Sequence, residues 1–131
     1  MDADERRCLH DDEITEMVIG TAYAVSNALG AGFLEKVYEN ALLHEIRKRG
    51  LQAIQQHPLT VSYDGVVVGE FFVDILVESR IVIELKCAKS IDDAHLAQCL
   101  NYLKATGKTL GLLINFGTPR VQIKRVVLNH R

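Results

Sequence analysis

Apolar residues in this chain recur first at helical spacing and then in strand-like runs, and the change of period outlines the fold. From Asp11 or Asp12, acids suited to a helix start lead into Ile14, Met17, Val18, Thr21, Val25, Ala28 and Leu29, the apolar stripe of an amphipathic helix that Gly30 ends. A second helix is predicted from about Phe33 to Arg49. It carries Leu34, Val37, Tyr38, Ala41 and Leu42 inward and Lys36, Glu39, Lys48 and Arg49 outward, with Gly50 closing it. Leu51 to Pro58 and Leu59 to Tyr63 then read as extended, Asp64-Gly65 as a hairpin turn, and Val66 onward as the return strand.

Two further runs, Glu70 to Val77 and Ile81 to Lys86, are rich in strand formers and flank a turn at Glu78-Ser79-Arg80. Ser90, with Asp93 three residues on, predicts the start of a helix that Gly107 ends; Leu96, Leu100 and Leu103 form its core stripe, and His95, Gln98 and Tyr102 a polar one. Thr109 to Phe116 reads as a buried strand, Gly117-Thr118-Pro119 as a turn and Val121 to Leu128 as a last strand. The predicted order is two helices, a β-meander, one helix and two strands.

Charges interrupt this pattern at Asp74, Glu84 and Lys86, inside apolar strands where they need partners. Side chains alternate along a strand, so Glu84 and Lys86 share one face while Ile83 and Leu85 take the other. The common partner for two such carboxylates is a hard divalent cation, because Mg2+ takes one or two carboxylates and keeps several waters. An ammonium beside that water can orient it or help remove its proton, which is hydrolytic chemistry. Strand parity turns Cys87 away from Lys86, toward the core.

The spacing D-x9-E-x-K on strand, turn and strand resembles the PD-(D/E)xK motif of the restriction-endonuclease-like nucleases, with Val73 where the motif name has proline. Gly32-Phe33-Leu34-Glu35-Lys36-Val37-Tyr38 also matches the G-x-x-E-x-x-Y signature of the GxxExxY protein family, a branch of that superfamily. Gln98 and Tyr102 add a Q-x-x-x-Y spacing. The resemblance implies an α/β restriction-endonuclease-like core, a mixed sheet of about five strands flanked by three helices. It implies Asp74, Glu84, the Leu85 carbonyl and Glu35 as metal ligands, and Lys86 as the water-orienting residue. Gln98, Tyr102 and Tyr38 are then substrate-binding. The implied activity is Mg2+-dependent nuclease action on DNA or RNA, with Mn2+ as a substitute.

Each residue has a plainer reading beside this one. Glu35 suits a first helical turn through the helix dipole, Tyr38 suits a core with its hydroxyl bonded, and Gln98 with Tyr102 suits a solvated i, i+4 pair. A single histidine such as His95 is an ordinary surface residue more often than a ligand. A non-catalytic module that binds nucleic acid or protein on the same fold therefore stays open as the alternative to a nuclease. A hydrolase of small phosphorylated metabolites is a third reading.

The 131 residues suffice for one domain with a core, expected over 11–131 after a loose acidic tail at 1–10. Apolar residues make up 48% and charged residues 24%, which excludes a disordered or fibrous chain. No apolar run approaches a membrane span, and the acidic N-terminus is unlike an export signal, so a cytoplasmic protein is expected. Cys8, Cys87 and Cys99 form no pairing pattern that suggests a disulfide framework or zinc. The net charge of −2 conceals an asymmetry: from Arg80 to Arg131 nine Lys or Arg face three acids, a net of +6 that permits a phosphate-binding face. One such site cuts one strand, so double-strand cleavage would call for a homodimer.

Overall fold

Helix α1 (Asp11–Leu29) and helix α2 (Glu35–Lys48) precede strands β1 (Ala53–Tyr63), β2 (Val66–Val77) and β3 (Ile81–Lys86). Helix α3 (Asp93–Thr106) and strands β4 (Leu110–Asn115) and β5 (Gln122–Val127) are the remaining elements among the described residues. The structure, a computed structural model, describes residues 9–129. Most of the tail expected at 1–10 lies outside the described residues, but Leu9 already packs against the core, so the domain begins before position 11.

The five strands form one sheet in the order β1-β2-β3-β4-β5, antiparallel except for the parallel pair β3 and β4. A parallel pair needs a long crossover, which α3 supplies. This is the mixed α/β sheet with three helices expected of a restriction-endonuclease-like fold. The two hairpins turn through left-handed residues, Asp64 with Gly65 and Glu78 with Ser79. The extended segments expected at 51–58 and 59–63 are one long strand, and Pro58 is tolerated because β1 is an edge.

Each face of the sheet carries a hydrophobic layer. On one face, Ile14, Val18, Val25, Leu42 and Ile46 of α1 and α2 meet Ile75, Ile81, Ile83, Leu85, Leu112 and Ile114. On the other, Cys99 and Leu103 of α3 meet Val73, Leu76, Val82, Leu113 and Val126. β3 is sandwiched between the layers and is buried from Ile81 through Leu85. No described helix is long and apolar enough to cross a membrane.

Helix α2 buries Tyr38 and Leu42 as expected, but the rest of its inward stripe is shifted. Leu34 is 81% exposed and Val37 is exposed, whereas Tyr38, Glu39, Leu42, Leu43 and Ile46 are buried. Tyr38 donates to the Gly30 carbonyl at 2.5 Å, accepts from the Phe33 N–H and stacks on Phe116 at 4.8 Å. Its complete burial withdraws it from the expected substrate-binding set. A ring of this size contributes roughly 4–6 kcal/mol by burial, enough to fix the loop that leads into α2. The N-cap of α3 is Asp92 rather than Ser90, because Asp92 and His95 bond each other's backbone N–H reciprocally. Cys87 is exposed rather than core, since β3 ends at Lys86 and strand parity stops there.

The segment leaving β3 is held by Asn115. Its side-chain oxygen accepts from the Ala88 and Gly117 N–H groups, and its nitrogen donates to the Ala88 carbonyl and to Gln122. Gly117 passes so close that a Cβ there would stand 2.4 Å from the Ala88 backbone. Backbone cannot yield as a flexible side chain does, so Gly117→Ala should destabilise the protein by about 1–3 kcal/mol in denaturant unfolding. An unchanged midpoint would show that the two segments can separate freely.

Candidate active site

β2 and β3 pair from Val77↔Ile81 to Ile75↔Ile83, and the next opposed residues are Asp74 and Glu84. There the carboxylates take over as hydrogen-bond acceptors. The Leu85 N–H donates to Asp74 Oδ2 at 2.8 Å, and the Asp74 N–H donates to Glu84 Oε1 at 3.2 Å. Each acid is thus tied to the other's strand. Val82 belongs to the α3-side layer, and parity carries Glu84 and Lys86 to the same face. Lys86 Nζ donates to Gln98 Oε1 of α3 at 2.8 Å, and Gln98 Nε2 donates to the Tyr102 hydroxyl at 3.3 Å.

A second group approaches Asp74 from β1. Gln56 has φ +54°, a left-handed conformation inside a strand, and at its level the facing of both strands inverts: Ile75 faces α1 and α2, but Val73 faces α3. Gln56 Nε2 donates to Asp74 Oδ1 at 3.4 Å and to Glu39 Oε1 at 2.9 Å. Glu39 is 2% exposed and also accepts from Lys36 Nζ and Gln55 Nε2. Sequence reasoning placed Glu39 outward and gave no role to Gln55 or Gln56. The signal was present, because Glu39 stands three, four and seven residues before Leu42, Leu43 and Ile46, on one stripe.

The electrostatics follow from burial. Desolvation first, then the charge of Asp74, pushes the Glu84 carboxyl up to about 9, with the Asp74 N–H and Lys86 opposing. Desolvation also raises Asp74, although the Leu85 N–H pulls it down. A hydrogen bond to a charged group is worth only about 1.5–3 kcal/mol, less than the cost of taking a carboxylate out of water. Burial and the neighbouring Asp74 thus both favour the protonated form of Glu84 in the protein alone. Tyr102 is raised by burial and then by Glu84 and Asp74, so its hydroxyl lies in the field of both acids.

The structure therefore brings Asp74, Glu84, Leu85, Lys86, Gln98 and Tyr102 into one cluster. Glu35 is the exposed first residue of α2, and its carboxyl is raised by partial burial and then by Asp74, with Lys86 opposing. His95 is spent as a capping residue. Among the described residues no three His, Cys, Asp or Glu side chains form a ready ligand cluster. The donors are all oxygen, two interlocked carboxylates beside a backbone strand edge. That set suits a cation that keeps much of its water, and the repulsion between the acids is what such a cation would relieve.

The family model described as the PD-(D/E)XK nuclease superfamily matches residues 12–126 of this chain. Among solved structures, the crystal structure of SSO0001 is similar, with a TM-score of 0.57 and 21% sequence identity. The alignment covers 96% of this chain and 64% of that one, a likeness of fold. No curated protein matches the chain significantly.

A carboxyl raised in the folded state binds its proton more tightly there, so its contribution to stability is full below its ordinary value of 4.5 and is lost as pH climbs toward 9. The metal-free protein should melt at progressively lower temperature from pH 5 to pH 9, and Glu84→Gln should flatten that decline. A slope unaltered by the substitution would place the responsible proton elsewhere.

Proposed function

The chain belongs to the PD-(D/E)XK nuclease superfamily, and on that premise we propose that it hydrolyses phosphodiester bonds of DNA or RNA with Mg2+ as cofactor. The observation that carries this reading is the Asp74–Glu84 interlock beside an ammonium held in place by Gln98. Asp74, Glu84 and the Leu85 carbonyl would hold the cation, with Glu35 as an accessory acid at the cleft mouth. A divalent cation, when bound, supplies the positive charge that acidifies the attacking water and offsets charge on the phosphate.

The chain's own residues do the rest. Lys86 orients the water for attack in line with the leaving oxygen, and Gln98 restricts where its ammonium can lie. Tyr102 lines the side from which substrate enters, and Gln56 with Glu39 holds the far oxygen of Asp74. We assign residues 11–131, together with the Leu9 that packs on the core, to this single domain and place it in the GxxExxY branch, on the strength of Gly32, Glu35 and Tyr38.

Binding to the folded state alone raises stability, so millimolar Mg2+ or Mn2+ should raise the melting temperature, and Asp74→Ala should abolish the shift. No shift in the wild type would remove the metal site. Lys86→Ala should retain the metal shift and nucleic-acid binding while losing most turnover, as expected of a group acting in the transition state. The decisive assay challenges the purified protein with single- and double-stranded DNA and RNA, with and without Mg2+ or Mn2+. Tight binding without cleavage of any substrate would replace the nuclease by a binding module.

A further inference from the structure

The β1–β2 hairpin and α3 line a groove of about 830 Å3, and Gln98, the residue bonded to Lys86, is part of its wall. Phe71 of β2 and Tyr102 of α3 line it, their rings 6.1 Å apart and tilted by 50°. Phe71 is 43% exposed, although the same face of β2 is fully buried two residues on at Val73. Its ring rests over Gly69, where an added Cβ would stand 3.0 Å from a ring carbon. Glycine weakens a strand interior, and here it provides the flat seat on which the ring lies.

Val61 and the alanines of α3 give the groove an apolar floor, and polar side chains stand around it. Among the described residues, the side chains of Thr60, Ser62 and Asn101 make no hydrogen bond, and Lys104 makes no ion pair. An open aromatic face on an apolar floor, solvent-exposed donors and acceptors free to bond, and a cation match the parts of one nucleotide: a flat base with a polar edge, joined to a phosphate. A base inside a duplex has both faces stacked and its edge paired, so it cannot present itself to Phe71.

We infer that this groove binds an unpaired nucleobase stacked on Phe71 beside Tyr102, which makes single-stranded or frayed nucleic acid the substrate class. The inference rests on the nuclease reading for its connection to Lys86, and the groove itself can be tested apart from cleavage.

Fluorescence anisotropy with labelled single-stranded DNA, single-stranded RNA and a duplex of the same sequence, in Ca2+ to hold back cleavage, provides the test. The wild type should bind at least one single strand about tenfold tighter than the duplex. Phe71→Leu should weaken that binding by about tenfold, and Phe71→Trp should restore it. The Mn2+-induced melting shift of Phe71→Leu should equal that of the wild type, which shows an intact fold and metal site. Equal single-strand binding by Phe71→Leu and wild type, or tighter binding of the duplex, would overturn the inference. Phe71-dependent binding by a protein that cleaves nothing would support the groove while overturning the hydrolytic reading. Cleavage indifferent to Phe71 would do the reverse.

Discussion

Two hydrogen bonds, Leu85 N–H to Asp74 and Asp74 N–H to Glu84, organise the rest of the cluster, because they join a half-buried acid to a buried one across a strand boundary. A strand end normally leaves its amide groups to water, but β3 is covered on both faces and water is scarce there. The carboxylates satisfy those amides and hold the gap open. The same replacement fixes the acids opposite each other, so their repulsion is built into the fold rather than sampled by flexible side chains.

The surroundings supply fixed dipoles and little countercharge. Lys86 is directed toward Gln98, and Asp74 meets the amide of Gln56, which also serves Glu39. Neutral amides satisfy lone pairs without neutralising the charge, so the negative potential of the cleft survives. The buried Glu39 is balanced by Lys36 and two glutamine amides, a pairing that lets an acid lie under the site without drawing Lys86 away from it. The left-handed Gln56 is the backbone cost of this arrangement, and it lies beside the Asp74–Glu84 pair.

Placement of Lys86 depends on residues distant in sequence. Asn115 and Gly117 hold the chain immediately after it, and α3 holds its ammonium from the other side. The parallel pairing of β3 with β4 therefore does more than extend the sheet: it sets Lys86 opposite Asn115, whose side chain fastens the exit of the strand. The β1–β2 hairpin adds the remaining wall, with Phe71 and Tyr102 facing one another across the groove.

Local periodicity and spacing determined the helices, the strands, both left-handed turns and the motif residues Asp74, Glu84 and Lys86, because these depend on neighbours two to four positions away. Parity alone put Glu84 and Lys86 on one face, and it failed one residue later at Cys87, where the strand ends. The shifted stripe of α2 escaped local reading, since Leu34 and Val37 are as apolar as the residues that do face inward, and only the docked sheet decides which stripe is buried. Tyr38 and Leu42 are buried as their spacing predicts, whereas Glu39 joins them because two glutamines on β1 satisfy its buried carboxylate. Those partners lie 16 and 17 residues away in sequence, a separation at which spacing carries no information and only the pairing of strand against helix does.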